Sequence, residues 1–262
     1  MKRYSRPFQP DETAASGSVG IMPWRIWRLT NHQNQTVDSG VVIEEPLEIR
    51  LNGEAVAVLM RTPGLEKELA AGFCLGEGLV ADLTDIALVR HCGRVVPDSI
   101  SGEIAEGDPL DVSRNRVDVT LMPGVSAGMG VGADTHHAEA ARPHDAVELI
   151  RSGCGRTEVS ALVENLSPID AHETVQVDIL RQLPGQMTRQ QAAYRLAGGI
   201  HAAAIFDSSG RSIAVCEDVG RHNATDKVVG YCLLRGIPLK DKILVSTGRA
   251  SYDMVAKGVR LG

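Results

Sequence analysis

The chain has 262 residues, of which 43% are hydrophobic and only 3% aromatic, so it can bury a substantial core built mainly from aliphatic side chains. Its formal net charge of -6 and its few aromatic residues argue against the basic, base-stacking surface of a nucleic-acid-binding protein. No apolar run approaches the roughly 20 residues of a membrane-spanning helix, and the N-terminal segment lacks the apolar centre of a secretory signal, so we expect a cytoplasmic protein that binds neither nucleic acid nor membranes.

A polar tail at residues 1–20 precedes the first organised segment. The stretch 47–61 then alternates apolar and polar residues on both sides of Asn52-Gly53. This pattern predicts a hairpin, because Asn-Gly accommodates the positive φ angles of a tight turn. Pro63 suits the first position of a helix, and Gly76 suits its end.

Strands continue through the rest of a β-rich part, which we place at residues 21–150 with a single helix. Residues 86–90 and 117–121 alternate as half-buried strands do. The stretch 124–147 is rich in Gly, Ala and polar residues without periodicity, so we interpret it as an irregular insertion. Residues 151–184 follow as a flexible, cysteine-bearing loop and linker.

The pattern becomes more regular over residues 185–262. The predicted elements are a helix capped by Thr188 and Gln191 and ended by Gly198-Gly199, strands at 201–206 and 211–216, a helix capped by Asn223, a strand at 243–247 and a last helix capped by Ser251. This order is typical of a layered α/β unit. The predicted fold class is therefore α/β (α+β).

Two strand-to-helix junctions of this unit, at 217–223 and 246–251, carry similar polar residues. If their strands are parallel neighbours, both helix N-termini open at the same edge of the sheet, and each offers free N–H groups beside an arginine, Arg221 or Arg249. Such an arrangement is typical of phosphate binding. The same residues could equally form ordinary helix caps and surface ion pairs.

The five cysteines are scattered along the chain and include no CxxC pair. The sequence therefore predicts neither a disulfide framework nor a structural metal site. Free cysteine is more often a small buried hydrophobic residue than a nucleophile. We expect burial for the three cysteines that lie in apolar patterns, Cys74, Cys216 and Cys232. Cys92 is intermediate between a buried and a reactive cysteine.

Cys154 differs from the other cysteines in its neighbours. Gly153 and Gly155 flank it, and Arg151 and Arg156 lie close in sequence. The glycines leave the sulfur sterically open, and nearby positive charge favours the thiolate, which attacks sulfur electrophiles and carries persulfide. The sequence therefore predicts Cys154 as an exposed and reactive thiol.

Several segments of the chain resemble the formate dehydrogenase accessory sulfurtransferase (FdhD) family. The resemblance runs in order from about residue 40 to the end, and the string 217–227 is its most specific part. The matching segments are 45–53, 60–64, 71–78, 199–203, 217–227 and 246–254.

This resemblance implies a sulfurtransferase of the persulfide-carrier type. Such a protein accepts sulfane sulfur from a cysteine desulfurase, here on Cys154, and delivers it to the molybdenum or tungsten bis-guanine-dinucleotide cofactor before that cofactor enters the formate dehydrogenase apoenzyme. The resemblance also implies a homodimer and a cytidine-deaminase-like, three-layer C-terminal unit without zinc. The candidate cofactor-binding residues, in the places where a deaminase holds metal, are Arg221, His222, Arg249 and Ser251.

The sequence departs from the family pattern in two places. Many members carry Cys-Gly-x-Cys-Gly in the loop, whereas this chain has Thr157 in place of the second cysteine. Cys154 is therefore expected to act without a partner cysteine in its loop. The sequence ends at Gly262, where members continue with a strand, a helix and a basic segment that contacts the cofactor; we expect a chain without that segment to bind cofactor poorly or to expose a sheet edge.

Two alternatives to sulfur transfer follow from the same residues. One is a non-catalytic chaperone that binds the cofactor or the formate dehydrogenase apoenzyme and has lost sulfur transfer with the second cysteine. The other is a cysteine hydrolase in which Cys154 works with His201 or His222, which requires nucleophile and base within hydrogen-bond reach. Each histidine could equally be a structural residue.

Overall fold

The computed structural model describes residues 20–30, 34–92, 115–126, 169 and 174–261. Residues 1–19 of the predicted tail, nearly all of the predicted insertion and Cys154 lie outside these ranges. The elements in chain order are β1 (Ile21–Leu29), β2 (Asn34–Val42), β3 (Glu45–Leu51), β4 (Glu54–Arg61), α1 (Glu66–Gly76), a 3₁₀ turn (Leu83–Asp85), β5 (Ile86–Cys92), β6 (Arg116–Leu121), α2 (Val177–Gln190), α3 (Ala192–Ala197), β7 (His201–Phe206), β8 (Ser212–Asp218), α4 (Arg221–Leu234), β9 (Ile243–Ser246) and α5 (Tyr252–Leu261). This mixture of sheets and helices confirms the predicted α/β class.

The N-terminal part contains a two-stranded sheet, β1-β2, and a four-stranded sheet in the order β4-β3-β6-β5. The predicted hairpin is confirmed: β3 and β4 pair antiparallel, and Asn52 and Gly53 between them have φ angles of 52° and 90°. Strand β6 returns parallel to β3 and antiparallel to β5.

Helix α1 starts three residues later than predicted. Pro63 lies before the helix rather than at its first position, because Gly64 and Leu65 have left-handed φ angles of 104° and 59° and turn the chain. The helix then begins at Glu66, whose carboxylate accepts a hydrogen bond of 2.7 Å from the Gly64 N–H.

The predicted helix start at Thr188 is wrong. Helix α2 runs from Val177 through this position, and the Thr188 hydroxyl donates to the Pro184 carbonyl at 2.9 Å instead of capping a new helix. The break comes at Gln191, where ψ is 90°, and α3 follows it.

The C-terminal sheet has the order β8-β7-β9, and β7 is antiparallel to both neighbours. The two strands that lead into the junctions therefore point the same way, as predicted, but they are not neighbours, because β7 lies between them. Helices α4 and α5 still begin at the same edge of this sheet. The two helix starts therefore share an edge although the strands that lead into them are separated by one strand.

Side chains of β7 alternate between two cores. Ala202, Ala204 and Phe206 pack against Leu183 and Met187 of α2. The intervening residues, Ala203 and Ile205, face a larger core that also includes α1, α4 and the four-stranded sheet. The C-terminal sheet therefore lies between helices, which matches the predicted layered unit, and one core joins it to the N-terminal part.

Helices α1 and α4 cross at glycines. A Cβ atom placed on Gly72 would lie 1.9 Å from the Asp226 carbonyl oxygen, and one placed on Gly230 would lie 1.8 Å from the Glu68 carbonyl oxygen. The two backbones are therefore in direct contact at this crossing. Within the described ranges, none of the helices combines the length and apolar character needed to cross a membrane.

Candidate functional site

Asp218, at the end of β8, organises the first junction. Its side chain is fully buried, and its Oδ1 accepts hydrogen bonds from the Gly220 N–H at 2.9 Å and from Asn223 Nδ2 at 3.0 Å. Its Oδ2 accepts from the Thr62 N–H at 3.1 Å and lies 2.7 Å from Lys227 Nζ. Both oxygens are therefore committed to holding the turn, and Asp218 has a structural role.

Asn223 is not the N-cap that the sequence predicted. Helix α4 begins two residues earlier, at Arg221, with Gly220 in the capping position. The Asn223 side-chain amide instead donates to the carbonyl of Met60, which is distant in sequence, at 2.7 Å, and it also donates to Asp218. A long-range contact thus replaces the local cap that its sequence position suggested.

Thr62 holds the first junction from the N-terminal side, and no local sequence pattern predicted this role. Its hydroxyl accepts from the Val219 N–H at 3.1 Å, and its carbonyl accepts from Lys227 Nζ at 2.7 Å. Together with the bond to Asp218, these contacts tie the segment after β4 to the start of α4. In the sequence, the two regions were linked only because 60–64 and 217–227 both resemble segments of the same family.

Glu217 acts as a helix cap, which is one of the two predicted alternatives for this junction. Its carboxylate accepts from the Ala193 N–H at 2.9 Å and the Tyr194 N–H at 2.8 Å, at the start of α3. A cavity of about 220 Å³ lies beside it, lined in part by Thr62, Cys216 and Lys227. Because Glu217 and Lys227 are already bonded within the protein, this cavity offers no free charge to a ligand.

A buried ion pair holds α5 against α4 and α1. Lys257 Nζ lies 2.9 and 3.1 Å from the two Asp226 carboxylate oxygens and 2.9 Å from Glu77 Oε1. Burial raises the pKa of Asp226 to about 6. Burial alone lowers the pKa of Lys257, but the carboxylates of Asp226 and Glu77 outweigh it and raise that pKa. We assign the pair as ionised, because three carboxylate oxygens surround the ammonium group.

Three of the four predicted cofactor-binding residues have buried polar atoms that find no hydrogen-bond partner among the described residues. These atoms are Arg221 Nε, His222 Nε2 and Ser251 Oγ. Buried polar atoms are nearly always hydrogen-bonded in folded proteins, so an unpaired cluster indicates a ligand site or a strained site. Ser251 directly precedes α5, as predicted, but its hydroxyl caps no N–H group.

Two further buried nitrogen atoms lack a hydrogen-bond partner among the described residues, and both belong to the four-stranded sheet. They are Arg61 Nε and Arg116 Nε. The other nitrogens of Arg61 contact Asn115 at 3.0 Å and Glu45 at 3.3 Å. Arg61 lies beside the first junction, since its neighbours Met60 and Thr62 bond to Asn223 and Asp218. Its Nη1 and Nη2 atoms, however, are bonded within the N-terminal part.

The two junctions touch each other at Arg221. A Cβ atom on Gly248 would lie 2.4 Å from Arg221 Cδ, so the arginine side chain runs directly across this glycine. Behind it, the Thr225 hydroxyl of α4 lies 3.9 Å from Met254 Sδ of α5. Arg249 is exposed beside this contact, and its carbonyl accepts a hydrogen bond of 2.9 Å from the Ser251 N–H. The structure therefore brings the starts of α4 and α5 into one site.

The electrostatic environment of His222 favours the neutral imidazole. Burial lowers the pKa of His222, and the cations of Arg221 and Lys257 lower it further, against the opposing effect of Asp253 and Glu77. The other candidate base, His201, places Nδ1 3.0 Å from the Thr247 hydroxyl. The hydrolase alternative stays a prediction, because Cys154 is outside the described residues.

The predicted burial of three cysteines is confirmed. Burial raises the pKa of Cys74 and of Cys216 to about 12 and that of Cys232 to about 11. Cys92 is half-buried, with its sulfur 2.9 Å from Asp118 Oδ2. The three buried thiols are therefore poor nucleophiles at neutral pH.

Comparison with known proteins identifies the family and the fold. The FdhD/NarQ family model matches residues 42–262. Sulfur carrier protein FdhD of Mycobacterium tuberculosis is 37% identical over 249 residues, which cover 91% of this chain and 81% of the relative. The protein of the same name from Anaeromyxobacter dehalogenans is 35% identical over 233 residues, which cover 86% and 74%.

A solved structure shows the same fold. It is the crystal structure of a formate dehydrogenase accessory protein from Desulfotalea psychrophila, which superposes with a TM-score of 0.63 at 21% identity. The match covers 92% of this chain and 80% of that protein. With the family model spanning most of the sequence and relatives above one-third identity, the chain belongs to the FdhD/NarQ family.

Proposed function

We propose that this protein carries sulfane sulfur as a persulfide on Cys154, for use in formate dehydrogenase maturation. The sulfur comes from a cysteine desulfurase and goes to a molybdenum or tungsten bis-guanine-dinucleotide cofactor bound at the start of α4 and α5. Support for sulfur carriage comes from the family and from relatives named sulfur carrier proteins. The link to formate dehydrogenase is supported by the name of the structural relative.

The observation that carries the cofactor part of the proposal is the group of unpaired buried atoms on Arg221, His222 and Ser251. The other polar residues of the first junction are satisfied within the protein: Glu217 caps α3, and Asp218 and Asn223 fix the turn. What remains free is a guanidinium, an imidazole and a hydroxyl beside two helix N-termini. Such donors suit phosphate oxygens, which the diphosphate of a guanine dinucleotide supplies.

Loading of Cys154 follows ordinary thiol exchange. The Cys154 thiolate attacks the terminal sulfur of the donor's persulfide, so that a new S–S bond forms on Cys154 while the donor's S–S bond breaks. The donor sulfur leaves with the electron pair of the broken bond and takes up a proton as a thiol. No net oxidant or reductant is needed for this step.

Delivery of the sulfur as sulfide needs two electrons. Because Thr157 occupies the position of the family's second loop cysteine, we assign them to a thiol outside the loop. That thiol attacks the inner sulfur of the persulfide, forms a mixed disulfide with Cys154 and releases the terminal sulfur as hydrosulfide. A second external thiol then regenerates Cys154.

The test of the carrier is persulfide mapping. Purified protein is incubated with a cysteine desulfurase and cysteine, and peptides are analysed by mass spectrometry for added sulfur. We expect the addition on the peptide that contains Cys154, its loss in Cys154→Ala and its retention in the matched control Cys92→Ala. Absence of the addition from that peptide, or its persistence in Cys154→Ala, would overturn the assignment.

Complementation separates the carrier from the chaperone alternative. In a strain that lacks its own copy, the carrier mechanism predicts that Cys154→Ala fails to restore formate dehydrogenase activity. Full restoration by that variant would instead identify a non-catalytic chaperone. The predicted homodimer is checked separately, by light scattering on the purified protein.

A further inference from the structure

We propose that His222 takes up one proton from solvent when the site binds the diphosphate group of a guanine nucleotide. The inference rests on the proposed function, which supplies the ligand, and adds a role for one residue. It makes binding at the junction a proton-coupled event.

The first support is geometric. His222 is the second residue of α4, directly after Arg221, and within the described part of the chain its buried Nε2 atom has no hydrogen-bond partner. The imidazole lies where the starts of α4 and α5 meet, because Arg221 beside it crosses Gly248 and its charge is influenced by Asp253 and Lys257 of α5. Since a phosphate oxygen is only an acceptor, Nε2 must present a proton to it, either in the neutral Nε2–H tautomer or in the imidazolium, and the surrounding charge decides between these two forms.

The second support is the charge around the imidazole in the free protein. Arg221 on its own helix and Lys257 on α5 are cationic, whereas Asp253 on α5 and Glu77 after α1 are anionic. Lys257 is neutralised by Asp226 and Glu77, to which it is directly bonded. Burial and Arg221 then dominate, and the imidazole is neutral at neutral pH.

A bound diphosphate reverses this balance. It brings two negative charges next to Nε2, and an adjacent anion favours the protonated ring. The imidazolium then donates its Nε2–H to a phosphate oxygen, and the proton comes from solvent. The other candidate residues cannot take this role, because arginine guanidinium groups keep their charge in proteins and the Ser251 hydroxyl is neutral.

The sign of the pH dependence follows from linkage. The free protein has a lowered pKa at His222 and the complex a raised one, so the complex holds more protons between these two values. Affinity therefore falls as pH rises through this window, by up to about tenfold per pH unit. Below the lower pKa and above the higher one, affinity becomes independent of this residue's titration.

The probe is guanosine diphosphate mannose, because both of its phosphates are diesters and do not titrate near neutral pH. Free GDP serves as the second arm, since its terminal phosphate titrates near pH 6 and adds its own proton exchange. Calorimetric titrations at pH 6, 7 and 8, in buffers of different ionisation enthalpy, give the affinity and the number of protons taken up per ligand.

We expect uptake that approaches one proton per bound diester in the wild type. His222→Gln should bind more weakly, with no uptake and a flat pH profile, and the matched control His201→Gln should keep the wild-type uptake. Binding of the diester without proton uptake, or proton uptake that persists in His222→Gln, would overturn this inference and leave the proposed function standing. If neither GDP nor the diester binds, the ligand of the proposed function fails as well.

Histidine resonances of the unsubstituted protein give a test that needs no variant to fold. The pKa of His222, followed by NMR, should lie below 6.5 in the free protein and rise when the diester saturates the site. An unchanged titration on saturation would count decisively against proton coupling.

Discussion

The contact between α1 and α4 leaves no room for a methyl group on either helix. In Gly72→Ala the new Cβ atom would start 1.9 Å from the Asp226 carbonyl oxygen and 2.9 Å from the Gly230 N atom. Ordinary contact begins near 3.4 Å, so the helices would have to separate by about 1.5 Å. Since backbone atoms form the obstacle, no rotamer change relieves it.

The free-energy change can be estimated from two opposing effects. Overpacking of this kind costs up to about 3 kcal/mol, and the higher helix propensity of alanine returns about 1 kcal/mol. We therefore expect Gly72→Ala to lower the free energy of unfolding by about 2 kcal/mol, measured by urea denaturation.

The matched control is Gly185→Ala in α2. Its Cβ atom would approach no atom closer than Arg189 Nη1 at 3.8 Å, so the propensity gain should stabilise the protein by about 0.5–1 kcal/mol. If the two variants unfolded at the same urea concentration, the reasoning from close backbone contact would be refuted.

Three further predictions concern the site and the thiols. Gly248→Ala should displace the Arg221 side chain and weaken GDP binding, measured by calorimetry, about tenfold, because one charge-assisted hydrogen bond is lost. The melting temperature should stay unchanged, and wild-type affinity for GDP would contradict a role of this contact in binding. Lys227→Met should leave Asp218 buried without its cation and lower stability to urea by about 3–5 kcal/mol; a loss below about 1 kcal/mol would show that the pair is dispensable. Iodoacetamide at pH 8 should modify Cys154 in the native protein but should modify Cys74, Cys216 and Cys232 only after denaturation. Modification of any of these three in the native protein would disprove its assigned burial.

Local sequence signals predicted structure well where neighbouring residues decide the conformation. Asn52-Gly53 predicted a hairpin because the turn itself requires positive φ angles. The start of α2 was missed for the opposite reason. Proline is unfavourable inside a helix, yet Pro184 lies within α2, where burial of Leu183 and Met187 against β7 offsets its cost.

In the candidate site, too, local patterns predicted some features, whereas features that depend on distant segments were missed. Arg221, His222 and Ser251 were predicted from the junction pattern and the family resemblance, and the structure brings them together. The bonding of Asn223 to Met60, 163 residues away in sequence, could not be predicted from local propensity. The insertion of β7 between the two leading strands likewise depends on pairing between distant segments.

The three hydrogen bonds of Thr62 limit how the chain can be divided. A fragment that begins at residue 174 would retain Asp218 and Lys227 but lose the backbone N–H and carbonyl groups that complete their bonding. It would also expose the face of α4 that packs on α1. The C-terminal part therefore depends on the N-terminal sheets for its folding, and we expect a fragment that begins at residue 174 to aggregate when it is produced alone.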